Sequence, residues 1–132
     1  MKLERALIRI AGPACVFFGL VCAVAPQELA ALAGISATPA GTTDLRAIYG
    51  GFQLGLGGFL LWCGRDEARY RAGLLALGCI TADVAIVRSI GMFVDGDPTG
   101  FLLVNLALEV SIVALVATAL FQAQRRSGAV FA

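Results

Sequence analysis

Histidine is missing from the chain, and charge of either sign is scarce. Without imidazole there is no His-based zinc site, no His general base and no haem ligation through histidine. Charged residues make up 14% of the 132 residues, against about 25% in a soluble domain, which is too few to cover a water-facing surface of this size. A net charge of +1, with no Lys/Arg-rich run and no aromatic RNA motif, offers no field for nucleic acid. Cysteine is present four times, as Cys15, Cys22, Cys63 and Cys79, but never as C-x-x-C. Neither a thioredoxin-like pair nor a zinc knuckle is supported, and the thiols read as small hydrophobes in apolar runs. No metal and no cofactor is expected.

What is there is hydrocarbon. Hydrophobic residues reach 59%, and they gather into stretches long enough for a bilayer. Spanning about 30 Å of lipid takes about 20 residues at 1.5 Å rise each. Residues 10–27 and 47–64 are uncharged throughout; residues 72–94 are apolar apart from Asp83 and Arg88, and residues 98–124 apart from Glu109. Only helices or closed barrels satisfy every backbone group in lipid, and these segments lack the alternation of barrel strands. The expectation is therefore all-α: an integral membrane four-helix bundle forming one transmembrane domain over residues 1–132, with helices at about 7–25, 44–64, 70–94 and 98–123.

Boundary residues agree with this division. Thr42 or Thr43 suits the cap of the second helix, with Asp44 in its first turn. Gly96 suits a left-handed close to the third helix, and Asp97-Pro98 an N-cap followed by Pro at the first position. Two acids in that tight turn fit turn and cap chemistry better than a cation site. The segment from Pro26 to Gly34 reads as a short interfacial helix after the first transmembrane helix, and residues 35–42 as irregular loop. Ala23-Val24-Ala25 imitates a signal-peptide end, but Pro26 after it disfavours cleavage, so the first helix is expected to stay.

Orientation follows from basic residues in short loops. Lys2, Arg5, Arg9, Arg65, Arg69, Arg71, Arg125 and Arg126 share one side if the helix count is four, whereas the opposite loops carry Glu28, Asp44, Asp95 and Asp97. Both termini are expected in the cytoplasm.

Small residues let helix backbones approach in lipid. Gly51, Gly55 and Gly58 follow i, i+4, i+7 spacing on the second helix and are expected to form its packing face, within the bundle or in a homo-oligomer. About 140° away at 100° per residue, Arg46, Tyr49 and Gln53 make a polar stripe. On the fourth helix Asn105 and Glu109 are aligned four apart. A central charge costs about 2.5–3.5 kcal/mol on insertion scales, so Asp83, Arg88 and Glu109 need partners inside the bundle. By depth, Glu109 is expected to pair with Arg88 or Arg46, leaving a charge-balanced outer-half pocket lined by Arg46, Tyr49, Gln53, Asp83, Arg88, Asn105 and Glu109.

Taken together, Arg46-Ala47-Ile48-Tyr49-Gly50-Gly51, Arg88 with the later Asp95-Gly96, and Glu109 in the last helix resemble a family of small bacterial four-helix membrane proteins, domain of unknown function 4345. The likeness runs from the first helix to about Gln124. It implies a multi-pass protein of the bacterial inner membrane and carries no activity. The residues themselves favour a binding or accessory protein whose partners are the bilayer and a lipophilic small molecule. A membrane enzyme using an intramembrane carboxylate as acid or base, and a small proton-coupled transporter, are the alternatives; whether it is an enzyme stays open.

Overall fold

Helix α1 (Lys2–Val24) begins earlier than residue 7, with Glu4 in its first turn where it complements the helix dipole, and takes up the first apolar stretch as far as Val24. The computed structural model describes residues 2–96 and 99–128. After α1 come α2 (Pro26–Leu32) and α3 (Pro39–Leu45), a π-helical turn over Arg46–Gly51, α4 (Phe52–Cys63), a 3-10 turn over Glu67–Arg69, α5 (Tyr70–Asp95) and α6 (Gly100–Gly128). No strand occurs among the described residues. The architecture is all-α, and α1, α5 and α6 are each long and apolar enough to cross a membrane.

The short helix expected after the first one is present as α2, which starts on Pro26 and is followed by Gly34 at φ 74°, in the left-handed region. The loop expected over residues 35–42 is corrected: helix resumes at Pro39. Thr38, not Thr42 or Thr43, is its cap, accepting a bond from the Gly41 N–H at 3.2 Å, with Pro39 already set to helical φ. Thr42 is buried instead, its hydroxyl donating to the Thr38 carbonyl and accepting from Gln27 Nε2 at 3.1 Å, which ties α3 to α2. From Pro39 to Cys63 the chain is helical without a break, through the π turn.

At the far end of α5, Gly96 adopts φ 69° as expected and its N–H returns to the Met92 carbonyl. The expected cap by Asp97-Pro98 lies outside the described residues. Among them it is Thr99 whose Oγ1 accepts from the Leu102 N–H, at 3.4 Å.

Two antiparallel pairs result. α1 lies along α4 with glycine at each close approach: a Cβ on Gly12 would meet Leu61, one on Gly19 the Leu54 N at 2.8 Å, one on Gly50 the Ala23 N at 3.0 Å, and one on Gly57 the Val16 N at 2.7 Å. Of the two expectations for the glycine face, packing within the bundle is corrected. A Cβ on Gly51, Gly55 or Gly58 would meet nothing within 4 Å, and it is Gly50 and Gly57, seven apart, that face α1. Both sets have good helical spacing, and in a helix apolar all round nothing in the pattern says which face meets a neighbour.

In the second pair, α5 and α6 run side by side from Gly78 against Val116 to Arg88 against Glu109. The pairs meet at one end around Ile8, Leu60, Tyr70, Leu74, Leu77, Val116 and Ala119, a buried cluster that includes residues from α1, α4, α5 and α6. Arg5 pairs with Glu67 at this end, Asp66 caps the 3-10 turn through the Ala68 N–H, and Arg69 lies over the Trp62 ring at 4.1 Å. Toward the other end α4 and α6 scarcely touch, and the pairs part. Much of the outside is large and apolar: Phe17, Val24, Phe93 and Val104 are each more than half exposed, a surface suited to lipid.

Candidate functional site

Where the two pairs part, an open cleft of about 540 Å³ forms, within the ~300–1,000 Å³ common for small-molecule sites. One wall is Tyr49, from the π turn; the other is mostly a face of α5, carrying Val84, Val87, Arg88 and Met92, with Leu102 of α6 beside it. Asp83 and Asp95 stand on the α5 wall as well, and Gly91 leaves room between them. A π turn inserts backbone into an α-helix and rotates the residues on either side of it relative to one another. Here it lets Gly50 lie on Ala23 while Tyr49, one residue earlier, stands half exposed in the cleft.

The central electrostatic feature is a forked ion pair. Arg88 Nη2 donates to Glu109 Oε1 at 2.7 Å, and Arg88 Nε lies 3.1 and 3.0 Å from the two carboxylate oxygens. The side chains are 25% and 14% exposed, so little of either charge is left uncovered. A planar guanidinium matches a carboxylate in two places, which suits it for such pairs. Of the two partners expected for Glu109, the fold selects Arg88. Arg88 still lines the cleft, whereas Glu109 stands behind it.

Arg46, expected in the pocket, is elsewhere. Its Nε donates to the Ala23 carbonyl at 3.1 Å, satisfying an acceptor in the last turn of α1 that helix geometry leaves open. Gln53 is partly buried and outside the cleft lining, and the Asn105 amide donates to the Phe101 carbonyl one turn back, at 2.8 Å. Of the seven expected pocket residues, then, Tyr49, Asp83 and Arg88 line the cleft and Glu109 backs it; Arg46, Gln53 and Asn105 do not line it. Asp95, Met92, Val84, Val87 and Leu102 are not among the residues expected from sequence. A signal is available, because residues 84, 88, 92 and 95 fall on one helical face through Arg88. Asp95 sits beside Gly96, where turn chemistry accounts for an acid without reference to that face.

Balance also changes. With Arg46 turned away and Arg88 joined to Glu109, Asp83 and Asp95 line the cleft with no ion pair to a described residue. Among the described residues no group of three His, Cys, Asp or Glu side chains is placed to hold a metal ion.

Fold and site together define an all-α protein with helices of membrane length and a cleft between two helix pairs. The chain belongs to the family described as Domain of unknown function (DUF4345), which matches residues 3–120. No curated protein and no solved structure matches it.

Proposed function

We propose that this is a multi-pass protein of the bacterial inner membrane that binds a lipophilic small molecule in the cleft between its helix pairs. The single observation behind this is the cleft itself: roomy, walled mostly by apolar side chains, and holding charged groups at a depth where lipid alone would penalise them. In this reading the helical run over residues 39–63 is the fourth span. Its length, about 37 Å at helical rise, is sufficient, and residues 47–64 carry no charge. The basic residues Arg5, Arg9, Arg65, Arg69 and Arg71 then gather at the closed end of the bundle, in the cytoplasm with both termini. The cleft opens in the outer half. Its gap between α4 and α6 faces lipid, giving an apolar ligand a lateral way in.

The ion pair bears on the alternatives. Glu109, the carboxylate best placed to be an acid, a base or a proton carrier, is already engaged by Arg88 at both oxygens. Among the cleft carboxylates this leaves Asp83 and Asp95 for such chemistry, and neither is ion-paired with a described base, so binding ranks above catalysis and proton coupling.

The test is native mass spectrometry of the full chain released from its membrane in mild detergent. A stoichiometric lipophilic adduct, absent when Val84→Trp fills the cleft, is the expected result. A bare wild-type chain with the same adduct-free spectrum as the variant would remove the reading. A C-terminal tag accessible from outside the cell would remove the topology.

A further inference from the structure

Deepening that reading, we propose that the cleft selects lipophilic organic cations. The inference rests on the cleft being a ligand site and adds the chemical class. Its basis is charge accounting in the half of the molecule where the pairs part. The arginines there are Arg46 and Arg88, and both have partners: the Ala23 carbonyl for one, the Glu109 carboxylate for the other. The acids do not. Asp83 and Asp95 are exposed into the cleft, and neither forms an ion pair with a described residue. The site therefore carries negative charge without a partner beside largely apolar walls, where an opposite charge is screened less than in open water.

The rest of the lining agrees. Tyr49 presents a half-exposed aromatic ring to the same space, and a cation within about 6 Å of such a ring is held by its quadrupole. Val84, Val87, Met92 and Leu102 supply apolar contact, and methionine adapts readily to irregular shapes. An anion would meet two carboxylates, and the guanidinium that would attract it is occupied. The two acids are twelve residues apart on α5, about 18 Å at helical rise, so one cation meets one acid at a time. Asp95 is the last residue of α5, and Asp83 lies twelve residues nearer the end where the pairs meet. With α5 across the membrane, Asp83 is the acid farther from bulk water and gains more from a lipophilic counter-charge.

The experiment uses the full chain in phosphatidylcholine nanodiscs and three probes of one shape: tetraphenylphosphonium, tetraphenylborate and neutral tetraphenylsilane. Binding is measured by equilibrium dialysis against empty nanodiscs. The expected result is saturable, one-to-one binding of the phosphonium alone. Asp83→Asn should weaken it about tenfold, equivalent to about 1.4 kcal/mol. Asp95→Asn should weaken it less, Asp83→Glu should retain it, and Val87→Trp should abolish it. Saturable binding of the borate or silane, blocked by Val87→Trp but indifferent to Asp83→Asn, would overturn cation selection and leave the cleft as a ligand site. Absence of saturable binding by all three probes would overturn both, as would phosphonium binding indifferent to Val87→Trp.

Discussion

The seam between α1 and α4 and the seam between α5 and α6 are both antiparallel helix contacts, built on opposite means. Along α1–α4 the backbones nearly touch: a Cβ at Gly57 would lie 2.7 Å from the Val16 N and 2.9 Å from the Gly12 carbonyl oxygen. No ion pair joins α1 to α4 among the described residues. Along α5–α6 the closest glycine, Gly78, faces a side chain, Val116 Cγ1 at 2.9 Å, and farther along the helices the Arg88–Glu109 ion pair bridges them. One seam is defined by the side chains it lacks, the other by two that it has. In lipid both are workable, since association there depends on close packing and interhelical polar bonds rather than on expelling water.

Removing one partner of the polar seam should have the largest effect. Arg88→Gln or Glu109→Gln leaves an uncompensated charge among helices, and each is expected to cost about 3–5 kcal/mol in resistance to SDS-induced unfolding. The double variant, with no charge left behind, should cost less than either single one. A double variant as damaging as the sum of the singles would show that the pair is not a unit, and the polar seam would lose its meaning.

Next is Gly57→Ala on the glycine seam, expected to cost about 1–3 kcal/mol because backbone, not a side-chain tip, must move. Gly78→Ala should cost less, since Val116 can shift its methyl group. The reverse order in the same unfolding assay would break the comparison outright. Smaller, and of opposite sign, is Gly55→Ala. Its Cβ meets nothing within 4 Å, so better helix propensity should gain up to about 1 kcal/mol. A clear loss of stability there would reveal that the open face of α4 is covered in the membrane by another chain.

The smallest effect belongs to neither seam. Arg69 over Trp62 contributes about 0.5–1 kcal/mol at an exposed site. Because Trp62 is the only tryptophan, Arg69→Ala should shift its fluorescence while leaving the unfolding midpoint almost unchanged. A large midpoint shift would mean that the α4–α5 turn matters to packing more than its exposure suggests.

Much of this is legible in the residue order. Hydrophobic run lengths locate the long helices, and Gly96 announces its own left-handed turn. The expense of charge in hydrocarbon identifies Arg88 and Glu109 as residues that have to find partners, and depth along antiparallel helices narrows the choice to two. The departures have a common source. Gly51, Gly55 and Gly58 make as good a stripe as Gly50 and Gly57, and Arg46 looks as available for a carboxylate as Arg88 does. Periodicity reports which residues share a face; it does not report what lies across from that face. The acceptor that claims Arg46 is a backbone carbonyl at the end of another helix, invisible to any pattern of side chains. The start of α3 differs from expectation for a more local reason, because Thr38-Pro39 is as good a cap as the threonines after it.

Sequence alone determined that the chain is helical, that its long helices are apolar on every side, and that a few charged groups within them need company. Those conclusions follow from composition and spacing, because the cost of exposing backbone or charge to hydrocarbon depends on residue type and not on the fold. Tertiary structure decided which glycines touch, which arginine answers Glu109, and that the pairs separate at one end to leave Tyr49 and Asp83 along an open cleft. These depend on the rotation and tilt of each helix against its neighbours. In helices apolar all round, many rotations bury similar area, and only the packed backbones choose among them.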